Sequence, residues 1–344
     1  MKETGKEKIL YVGIDVAKSW LDLAVTTDGV RTIASKRVDN NPKGFKAALL
    51  WAKTHMRKQK ASAVHFAVES TGIYSEGILE YLQDEDIKVS MINPSQIKSF
   101  ATSKLLRTRT DKIDASLIAV YLHAMKPKPT PKVPTELKQL KSLVRHLAYL
   151  TERRSEEKTY LESVTDRDVM ESTRKNIKHY DREIKKIEEK IKDHLDKNSG
   201  LRKKVELLKT IPGVAETTAR ILLCELHHQG SYERISRKAQ TAHAGLAPME
   251  KTSGSSVRRK PKLCKTGNAR LRKSLYFPAI SAIKHNPVVK DFYDKLISKG
   301  KHKMVALVAS MRKLLVIAIG ILNNQVAFDA DWEQHKRFRL LKTA

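Results

Sequence analysis

Along residues 8–125, two patterns of hydrophobic residues alternate. Short runs rich in β-branched residues predict strands, and longer runs with apolar residues at helical spacing predict helices. An Asp-Gly pair at residues 28 and 29 is a hairpin signal between the second and third runs, and Pro94 ends the last strand. The predicted strands are residues 8–16, 19–27, 32–40, 62–70 and 87–94, and the predicted helices are residues 42–56, 74–86 and 111–125.

The order of these elements predicts the fold class. Three consecutive hairpin strands followed by alternating helices and strands indicate an α/β domain. This is the order found in ribonuclease-H-like folds, and the helix over residues 111–125 closes the domain. The chain is therefore predicted to be α/β at its N-terminus, with mostly helical regions after it.

The middle of the chain favours long helices. A connector rich in proline and lysine, Lys126–Pro134, predicts an extended and fairly stiff segment. Between Thr135 and Ser199 there is neither proline nor glycine. Two apolar stripes there suit either a coiled-coil seam that dimerises or a helical hairpin in an ordinary bundle. The stripes are Leu137, Leu140, Val144 and Leu147, and then Ile177, Tyr180, Ile184, Ile187 and Ile191.

The last third of the chain predicts a mostly helical domain. Leu207–Leu226 has the pattern of a helix, a tight Pro-Gly turn and a second helix. The turn resembles a helix-hairpin-helix DNA-binding element, but Ala215 stands where a second glycine is usual, and a simple packing unit is equally plausible. Met304–Leu322 is interrupted by charged residues and falls short of the ~20 apolar residues of a membrane span, so it predicts a core helix. The predicted domains are residues 1–130, 131–200 and 201–344.

The net charge of the chain indicates which class of molecule it binds. The 344 residues include 67 Lys and Arg against 38 Asp and Glu, a formal net charge of +29. Such an excess costs self-repulsion and favours a polyanionic partner, nucleic acid first and an anionic membrane second. The N-terminus has no signal-peptide pattern, and Cys224 and Cys264 form neither a disulfide framework nor a zinc pair. We expect a cytoplasmic protein with no membrane partner, with Cys224 in a core.

Four carboxylates suit metal-dependent phosphodiester chemistry. Asp15 and Glu69 each lie in an apolar predicted strand, and Asp111 and Asp114 are three residues apart on a predicted helix. A strand-end acid would explain Asp15 or Glu69 alone, and helix capping would explain Asp111. Together they could hold two Mg²⁺ ions, which stabilise the attacking and leaving oxygens of a phosphodiester. The order D, E, D-x-x-D resembles the RuvC-like branch of the ribonuclease-H superfamily.

A basic stretch near residue 255 suits phosphate binding. Nine Lys or Arg residues and no acid lie between Lys251 and Leu275, which predicts an irregular loop around phosphates or, more simply, a solvated basic face. At its head, Ser253, Ser255 and Ser256 are candidate nucleophiles that these observations do not separate. The candidate nucleic-acid contacts are Arg107, Arg109, Arg258, Arg259, Lys260, Lys262, Lys265, Arg270, Arg272 and Lys273.

Several segments together carry a family resemblance that extends from about Ile9 to Asp329. They are "YVGIDVAK", "AVESTGIY", "VSMINPSQIKSFA", "RTRTDKIDA", "IPGVAETTA", "AHAGLAPMEKTSGSSVR" and "LRKSLYFPA". The chain resembles the DEDD transposases of bacterial insertion sequences, the group that includes Piv-type invertases and bridge-RNA-guided recombinases. The resemblance implies a RuvC-like domain, a coiled-coil segment and a C-terminal transposase domain.

The resemblance also implies site residues and partners. Asp15, Glu69, Asp111 and Asp114 match the Mg²⁺-binding acids, and Ser253 matches the nucleophile that forms a covalent phosphoserine link to DNA. Family members act on donor and target double-stranded DNA, specified by a structured non-coding guide RNA. They assemble as homodimers that pair into tetramers.

Three other functions are compatible with parts of the sequence. A metal-dependent Holliday-junction-type nuclease would share the acids but use water as the nucleophile. A non-catalytic DNA- or RNA-packaging protein would have no use for four acids that repel the same phosphates. An inactive relic of a transposase would be expected to have lost some of these motifs, which are intact here.

Overall fold

The computed structural model describes residues 8–70, 72–104, 111–226, 237–253, 257–264 and 266–331. For residues 111, 112, 250–253 and 257–262 it describes the backbone alone. The chain divides into two compact units, Met1–Lys132 and Val133–Ala344. The first contains a mixed sheet with helices, and the second is mostly helical.

The described residues of the first unit form five strands, four α-helices and a short 3₁₀ turn at Gly72–Ser75. The strands are β1 (Ile9–Val16), β2 (Trp20–Thr26), β3 (Ala34–Asp39), β4 (Ala63–Glu69) and β5 (Lys88–Ile92). The helices are α1 (Pro42–Lys58), α2 (Glu76–Asp84), α3 (Pro94–Ser103) and α4 (Asp111–Met125).

The five strands form one sheet in the order β3-β2-β1-β4-β5. The β3, β2 and β1 strands are antiparallel neighbours, whereas β1, β4 and β5 run parallel. A parallel pair needs a crossover connection, and α1 and α2 lie in the two crossovers. This mixed sheet is consistent with the α/β fold predicted from the order of elements.

Both faces of the sheet are covered, which explains the nearly continuous apolar character of β1 and β4. Alternate β1 residues Leu10, Val12 and Ile14 pack with α1 and α2 in one cluster. Tyr11 and Ala67 face the other way and pack with α3 and α4. The sheet therefore has an α1/α2 face and an α3/α4 face.

Most predicted elements of this unit are present with small shifts at their ends. One helix was missed: α3 begins at Pro94, where the side chain of Asn93 accepts a hydrogen bond from the Ser95 amide at 2.9 Å and caps the helix. The β2–β3 connection is also longer than predicted, residues 27–33 instead of 28–31, because β2 ends at Thr26 and β3 begins at Ala34.

The second unit contains nine further helices and a two-stranded sheet among its described residues. The helices are α5 (Thr135–Ser163), α6 (Arg167–Lys197), α7 (Ser199–Lys209), α8 (Glu216–Leu226), α9 (Arg237–His243), α10 (Ala269–Ser274), α11 (Tyr276–His285), α12 (Pro287–Ser298) and α13 (Lys303–Asn324). The strands are β6 (Pro248–Ser253) and β7 (Val257–Leu263).

The long helices α5 and α6 form an antiparallel hairpin within the chain. His194 near the end of α6 hydrogen-bonds the Glu136 carbonyl near the start of α5 at 2.7 Å. Farther along the hairpin, Arg154 pairs with Asp181 at 2.9 Å. Most residues of the two predicted stripes are buried in a core that also contains residues of α7, α8 and α10 to α13. The division of the chain at residue 200 stays a prediction.

The basic serine stretch differs from its prediction. Instead of an irregular loop, residues 248–253 and 257–263 pair as two antiparallel strands, with a register irregularity between Met249 and Lys251. Because a two-stranded sheet has only edge strands, it tolerates Pro261 and needs no buried apolar face. Polar and cationic side chains therefore do not prevent strand formation here.

The apolar helix α13 is a core element, as predicted. It is the one helix of the described chain that is long and apolar enough to cross a membrane by length and composition. Ten of its residues, however, are buried within the second unit. Cys224 is also buried, as predicted, and this burial raises the pKa of its thiol to about 12.

Candidate active-site residues

Asp15 and Glu69 lie side by side at one end of the sheet. The parallel register of β1 and β4 pairs Ile14 with Val68, so the next residue of each strand is one of these acids. Neighbouring strands are about 4.8 Å apart, and residues at one level point to the same face. Asp15 follows Tyr11 by four residues and Glu69 follows Ala67 by two, so both belong to the α3/α4 face.

The helix α4 crosses this face in the direction opposite to β1. The Tyr11 ring meets the His123 ring, near the end of α4, with centroids 5.0 Å apart. Gly13 lies against the α4 backbone, where an added Cβ would overlap the Ala115 carbonyl oxygen and the Ala119 amide nitrogen. The start of α4, with Asp111 and Asp114, therefore lies toward the Asp15 end of β1. Glycine is required at residue 13 because any side chain would push α4 away.

The described acids do not by themselves form a complete metal-binding site. Asp15, Glu69 and Asp114 are partly exposed, and the Asp15 Oδ1 accepts a hydrogen bond from the Val16 amide at 3.0 Å. Among the described residues, no three His, Cys, Asp or Glu side chains lie close enough together to hold a metal ion. The side chain of Asp111 is outside that set. The donor chemistry, carboxylate oxygens from two strands and a helix, is that which a hard divalent cation prefers.

A fifth acid, Asp22, was not singled out from the sequence. It is directly opposite Asp15 in the β1–β2 register and is only 3% exposed. Arg37 of β3 binds it through two hydrogen bonds, from Nε to Oδ1 at 3.0 Å and from Nη2 to Oδ2 at 2.7 Å. Its sequence signal was a carboxylate at an otherwise apolar strand position, the same signal that drew attention to Asp15.

Ser253 is the last residue of β6 and pairs with Val257 of β7. The turn between them, with Ser255 and Ser256, lies outside the described residues. Ser253 therefore lies at the end of β6 that pairs with the start of β7.

The strand β7 leads into a buried ionic network. Glu225 of α8 is 2% exposed and accepts two hydrogen bonds from Arg145 of α5, at 3.0 and 3.1 Å. It also accepts one from Asn268 at 2.8 Å, and Asn268 caps α10 through the Leu271 amide. Burial alone would raise the pKa of Glu225, but these hydrogen bonds and the nearby cations outweigh it and hold the pKa at about 2. Glu225 thus ties the segment that follows the hairpin to helices α5 and α8.

The ten candidate nucleic-acid contacts fall into three groups. Arg107, Arg109 and Lys265 lie outside the described residues, and Arg258, Arg259, Lys260 and Lys262 are on β7 with backbone alone described. The remaining three are on α10. Arg272 is half-buried and donates a hydrogen bond to the Ala244 carbonyl at 3.1 Å, so it contributes to internal packing. Arg270 is exposed and lies 3.6 Å from Glu225. Lys273 is the most exposed of the three and is 3.1 Å from Glu152.

The Pro-Gly turn between α7 and α8 has the predicted helix-turn-helix form. Gly213 has a φ of +96°, and an added Cβ would lie 2.7 Å from the Ala282 amide nitrogen of α11. The turn therefore packs against another helix at its glycine. This contact favours the packing unit over the DNA-contacting hairpin.

The chain is similar to known transposases and DNA invertases over most of its length. A model of the IS110 DEDD transposases, described as "Transposase", matches residues 12–167, and a model described as "Transposase IS116/IS110/IS902 family" matches residues 205–294. The "Pilin gene-inverting protein" of Moraxella lacunata is 32% identical over 329 residues, which cover 93% of this chain and 97% of the relative. The protein of the same description from Moraxella bovis is 31% identical with the same coverage.

A third relative matches only part of the chain. The insertion element IS110 uncharacterized 43.6 kDa protein of Streptomyces coelicolor is 26% identical over 124 residues, 36% of this chain and 30% of the relative. The two family models lie in the order predicted from the sequence motifs, and the Moraxella relatives align with 93% of this chain. The chain belongs to the IS116/IS110/IS902 family of transposases.

Proposed function

We propose that this protein is a DNA recombinase that cuts and rejoins strands through a covalent phosphoserine intermediate at Ser253, with Asp15, Glu69, Asp111 and Asp114 as the acids of the reaction. The observation that carries the proposal is the similarity, over 93% of this chain, to proteins described as pilin gene-inverting. Inverting a gene requires DNA strands to be cut and rejoined. The N-terminal domain is then of the RuvC-like type.

The geometry of the first unit supports the role of the acids. Asp15 and Glu69 are neighbours by strand register, and α4 brings the start of its helix toward them. These acids would hold two Mg²⁺ ions, which when bound stabilise negative charge on the attacking and leaving oxygens. A binding protein without catalysis gains nothing from acids gathered at one end of a sheet, since they repel the phosphates that it binds.

The nucleophile role of Ser253 comes from the family resemblance, in which it is the first serine of the Ser-Gly-Ser-Ser motif. In the proposed step the Ser253 Oγ forms a bond to the scissile phosphorus, while the bond from phosphorus to one deoxyribose oxygen breaks. The serine proton leaves to a base, and the departing oxygen receives a proton to become a hydroxyl. In the rejoining step a deoxyribose hydroxyl attacks the same phosphorus and releases the serine. No phosphodiester bond is hydrolysed, so no energy source is needed.

The proposal includes the partners that the family resemblance implies. DNA is the substrate, both donor and target, and the excess of 29 positive charges suits it. A structured guide RNA would select the DNA sites by base pairing. Homodimers paired into tetramers would supply acids and serines from different subunits. These actions would take place in the cytoplasm.

A metal-dependent junction nuclease is the second candidate, because the sheet acids would serve both reactions. The two differ in what becomes of the DNA ends. A nuclease transfers the phosphorus to water and leaves free ends, whereas the recombinase produces new junctions.

The deciding experiment sequences RNA that copurifies with the protein and then tests recombination between DNA sites matched to that RNA. We expect recombinant junctions that depend on Mg²⁺ and on the matched RNA. Cleaved but unjoined DNA would favour the nuclease. Recombination without any RNA would contradict the guide and leave the DNA recombinase intact.

A further inference from the structure

We infer that Phe277 is a stacking platform for an unpaired nucleobase, an inference that rests on the proposed function. Strand exchange guided by an RNA produces bases that have left their duplex partners. An exposed aromatic ring in a cationic surface binds such a base through its π-face, whichever base it is, while the neighbouring cations bind the backbone phosphates. The solvent-facing side of α10 and α11 is a surface of this kind.

This side of α10 and α11 carries three cations and one ring at helical spacing. Its residues, all exposed, are Arg270, Lys273, Phe277 and Lys284. They follow one another at intervals of three, four and seven residues, which is the spacing of one helix face. Leu275, between the two helices, has backbone angles in the right-handed helical region (φ −91°, ψ −11°), so the spacing continues from one helix to the next. The opposite face is buried and consists of Leu271, Leu275, Ala279 and Ala282.

The ring of Phe277 is exposed and also held in position. Its residue is 76% exposed, more than any other aromatic residue that the structure describes. A single exposed apolar side chain is ordinary and needs no function by itself. This ring, however, meets the Tyr276 ring edge to face, with centroids 5.3 Å apart and an angle of 86° between the planes. Tyr276 in turn packs against the core of the second unit. The ring is therefore oriented before a ligand arrives, which lowers the entropic cost of binding.

The charges around Phe277 favour a nucleic-acid strand as the occupant. No Asp or Glu occurs from Lys251 to Lys290. Lys273 is one helical turn before Phe277, and its side chain is 82% exposed; its 3.1 Å contact with Glu152 is an exposed ion pair, which contributes little and can be exchanged for a phosphate. Lys284 is exposed on the other side of the ring. An apolar protein surface would cover the ring alone, whereas a nucleotide strand supplies a base for the ring and phosphates for the cations.

The test is equilibrium binding of the full chain to labelled single-stranded oligonucleotides, one of DNA and one of RNA, and to duplex DNA. We expect Phe277→Leu to weaken single-strand binding by about tenfold, because leucine is apolar but has no ring to stack on a base. Phe277→Trp should bind at least as tightly as the wild type. Neither variant removes a charge, so the salt dependence of binding should stay unchanged, unlike that of Lys273→Met. The oligonucleotide that shows the loss identifies DNA, RNA or both as the source of the base.

The matched control is Tyr160→Leu, which removes another exposed ring, on α5, and should leave binding unchanged. Thermal unfolding should be the same for all three variants, since both rings are mostly exposed. Wild-type affinity in Phe277→Leu, or an equal loss on duplex DNA, would overturn the Phe277 inference alone. A changed oligomeric state of Phe277→Leu without nucleic acid, measured by sedimentation, would assign the ring to a contact between copies and would also overturn it. A wild type that binds neither DNA nor RNA would overturn both this inference and the proposed function.

Discussion

The two units of the protein hold their candidate catalytic residues by different means. In the first unit, strand register sets the acids side by side and a glycine contact sets the helix over them, so the backbone itself determines the geometry. In the second, Ser253 ends a strand of a two-stranded hairpin. The segment that follows it is held by the Asn268 side chain on Glu225 and by main-chain hydrogen bonds from Cys264 and Asn268 to the loop before the hairpin.

This difference has a physical consequence. A five-stranded sheet covered on both faces is rigid, which suits ligands that must converge on a small cation. A two-stranded hairpin is marginally stable by itself and depends on the contacts of the segments beside it. We therefore expect the acid site to tolerate backbone changes poorly, and the serine hairpin to depend on the network at its base.

The largest expected effect is the loss of the nucleophile. Ser253→Ala should reduce recombinant product by about a thousandfold or more, because no other group forms the covalent intermediate. The measurement is junction formation between matched DNA sites, with DNA binding unchanged. Ser255→Ala and Ser256→Ala are the controls in the same sequence motif and should remain active. If Ser255→Ala were inactive and Ser253→Ala active, the nucleophile would be wrongly assigned.

The second-largest effect is expected from a substitution of Gly13, which tests how closely α4 packs against β1. Gly13→Ala should lower the free energy of unfolding by about 2–4 kcal/mol, because the new Cβ overlaps backbone atoms of α4. It should also lower activity, since α4 and Asp114 must move away from Asp15. Chemical denaturation measures the first effect and junction formation the second.

Gly320→Ala is the matched control for this change. Gly320 is in α13 and an added Cβ there meets nothing within 4 Å, so the variant should gain up to ~1 kcal/mol from helix propensity. A Gly13→Ala protein as stable and active as the wild type would refute the close approach of α4 to β1.

The third effect concerns the buried network of the second unit. Glu225→Gln should cost about 2–3 kcal/mol, because it removes a buried charge that pairs with Arg145. Asp181→Asn breaks an exposed pair and should cost at most ~0.5 kcal/mol. Equal losses in both variants, measured by denaturation at pH 7, would mean that burial of Glu225 contributes nothing.

The Glu225 carboxylate also makes the stability of the protein depend on pH, and its lowered pKa determines the direction of that dependence. The pKa of Glu225 falls to about 2 on folding from an ordinary value of 4.5. Its contribution to stability is therefore fully present above about pH 4.5 and is lost as the pH falls toward 2. Glu225→Gln should reduce this loss of stability at acid pH. If the variant lost as much stability as the wild type between pH 4.5 and 2, the lowered pKa would not belong to Glu225.

The smallest effect is expected on α10, where it distinguishes a residue that contacts DNA from a residue that packs within the protein. Lys273→Met should reduce the salt dependence of DNA binding by about one unit of slope and leave stability unchanged, if Lys273 contacts a phosphate. Arg272→Met is the contrasting variant and should cost ~1 kcal/mol of stability through its lost hydrogen bond to Ala244. A Lys273→Met protein with an unchanged slope would remove Lys273 from the DNA contacts.

The sequence predicted what depends on local pattern. Periodicity located the strands and helices of the first unit, and the apolar positions of α13 predicted its burial. The helix α3 was missed although Asn93 and Pro94 carry an ordinary start signal, because the proline was interpreted only as the end of a strand. The roles of Asp15, Glu69, Asp111, Asp114 and Ser253 stay predictions.

The features that the sequence could not predict depend on contacts between residues that are far apart in the chain. Asp22 and Arg37 are fifteen residues apart and meet only because the β2–β3 register sets them opposite each other. Glu225 meets Arg145 and Asn268 only through the packing of α5, α8 and α10. The serine hairpin was mistaken for an irregular loop because its strands lack apolar alternation, the usual sign of a strand.

The most direct test of the central claim is to map the covalent link between protein and DNA. Protein incubated with Mg²⁺, matched RNA and DNA would be digested with protease and nuclease and analysed by mass spectrometry. We predict a nucleotide on the peptide that contains Ser253, present in the wild type and absent in Asp15→Asn. Cleaved DNA with no attached peptide, or an attached residue other than Ser253, would contradict it.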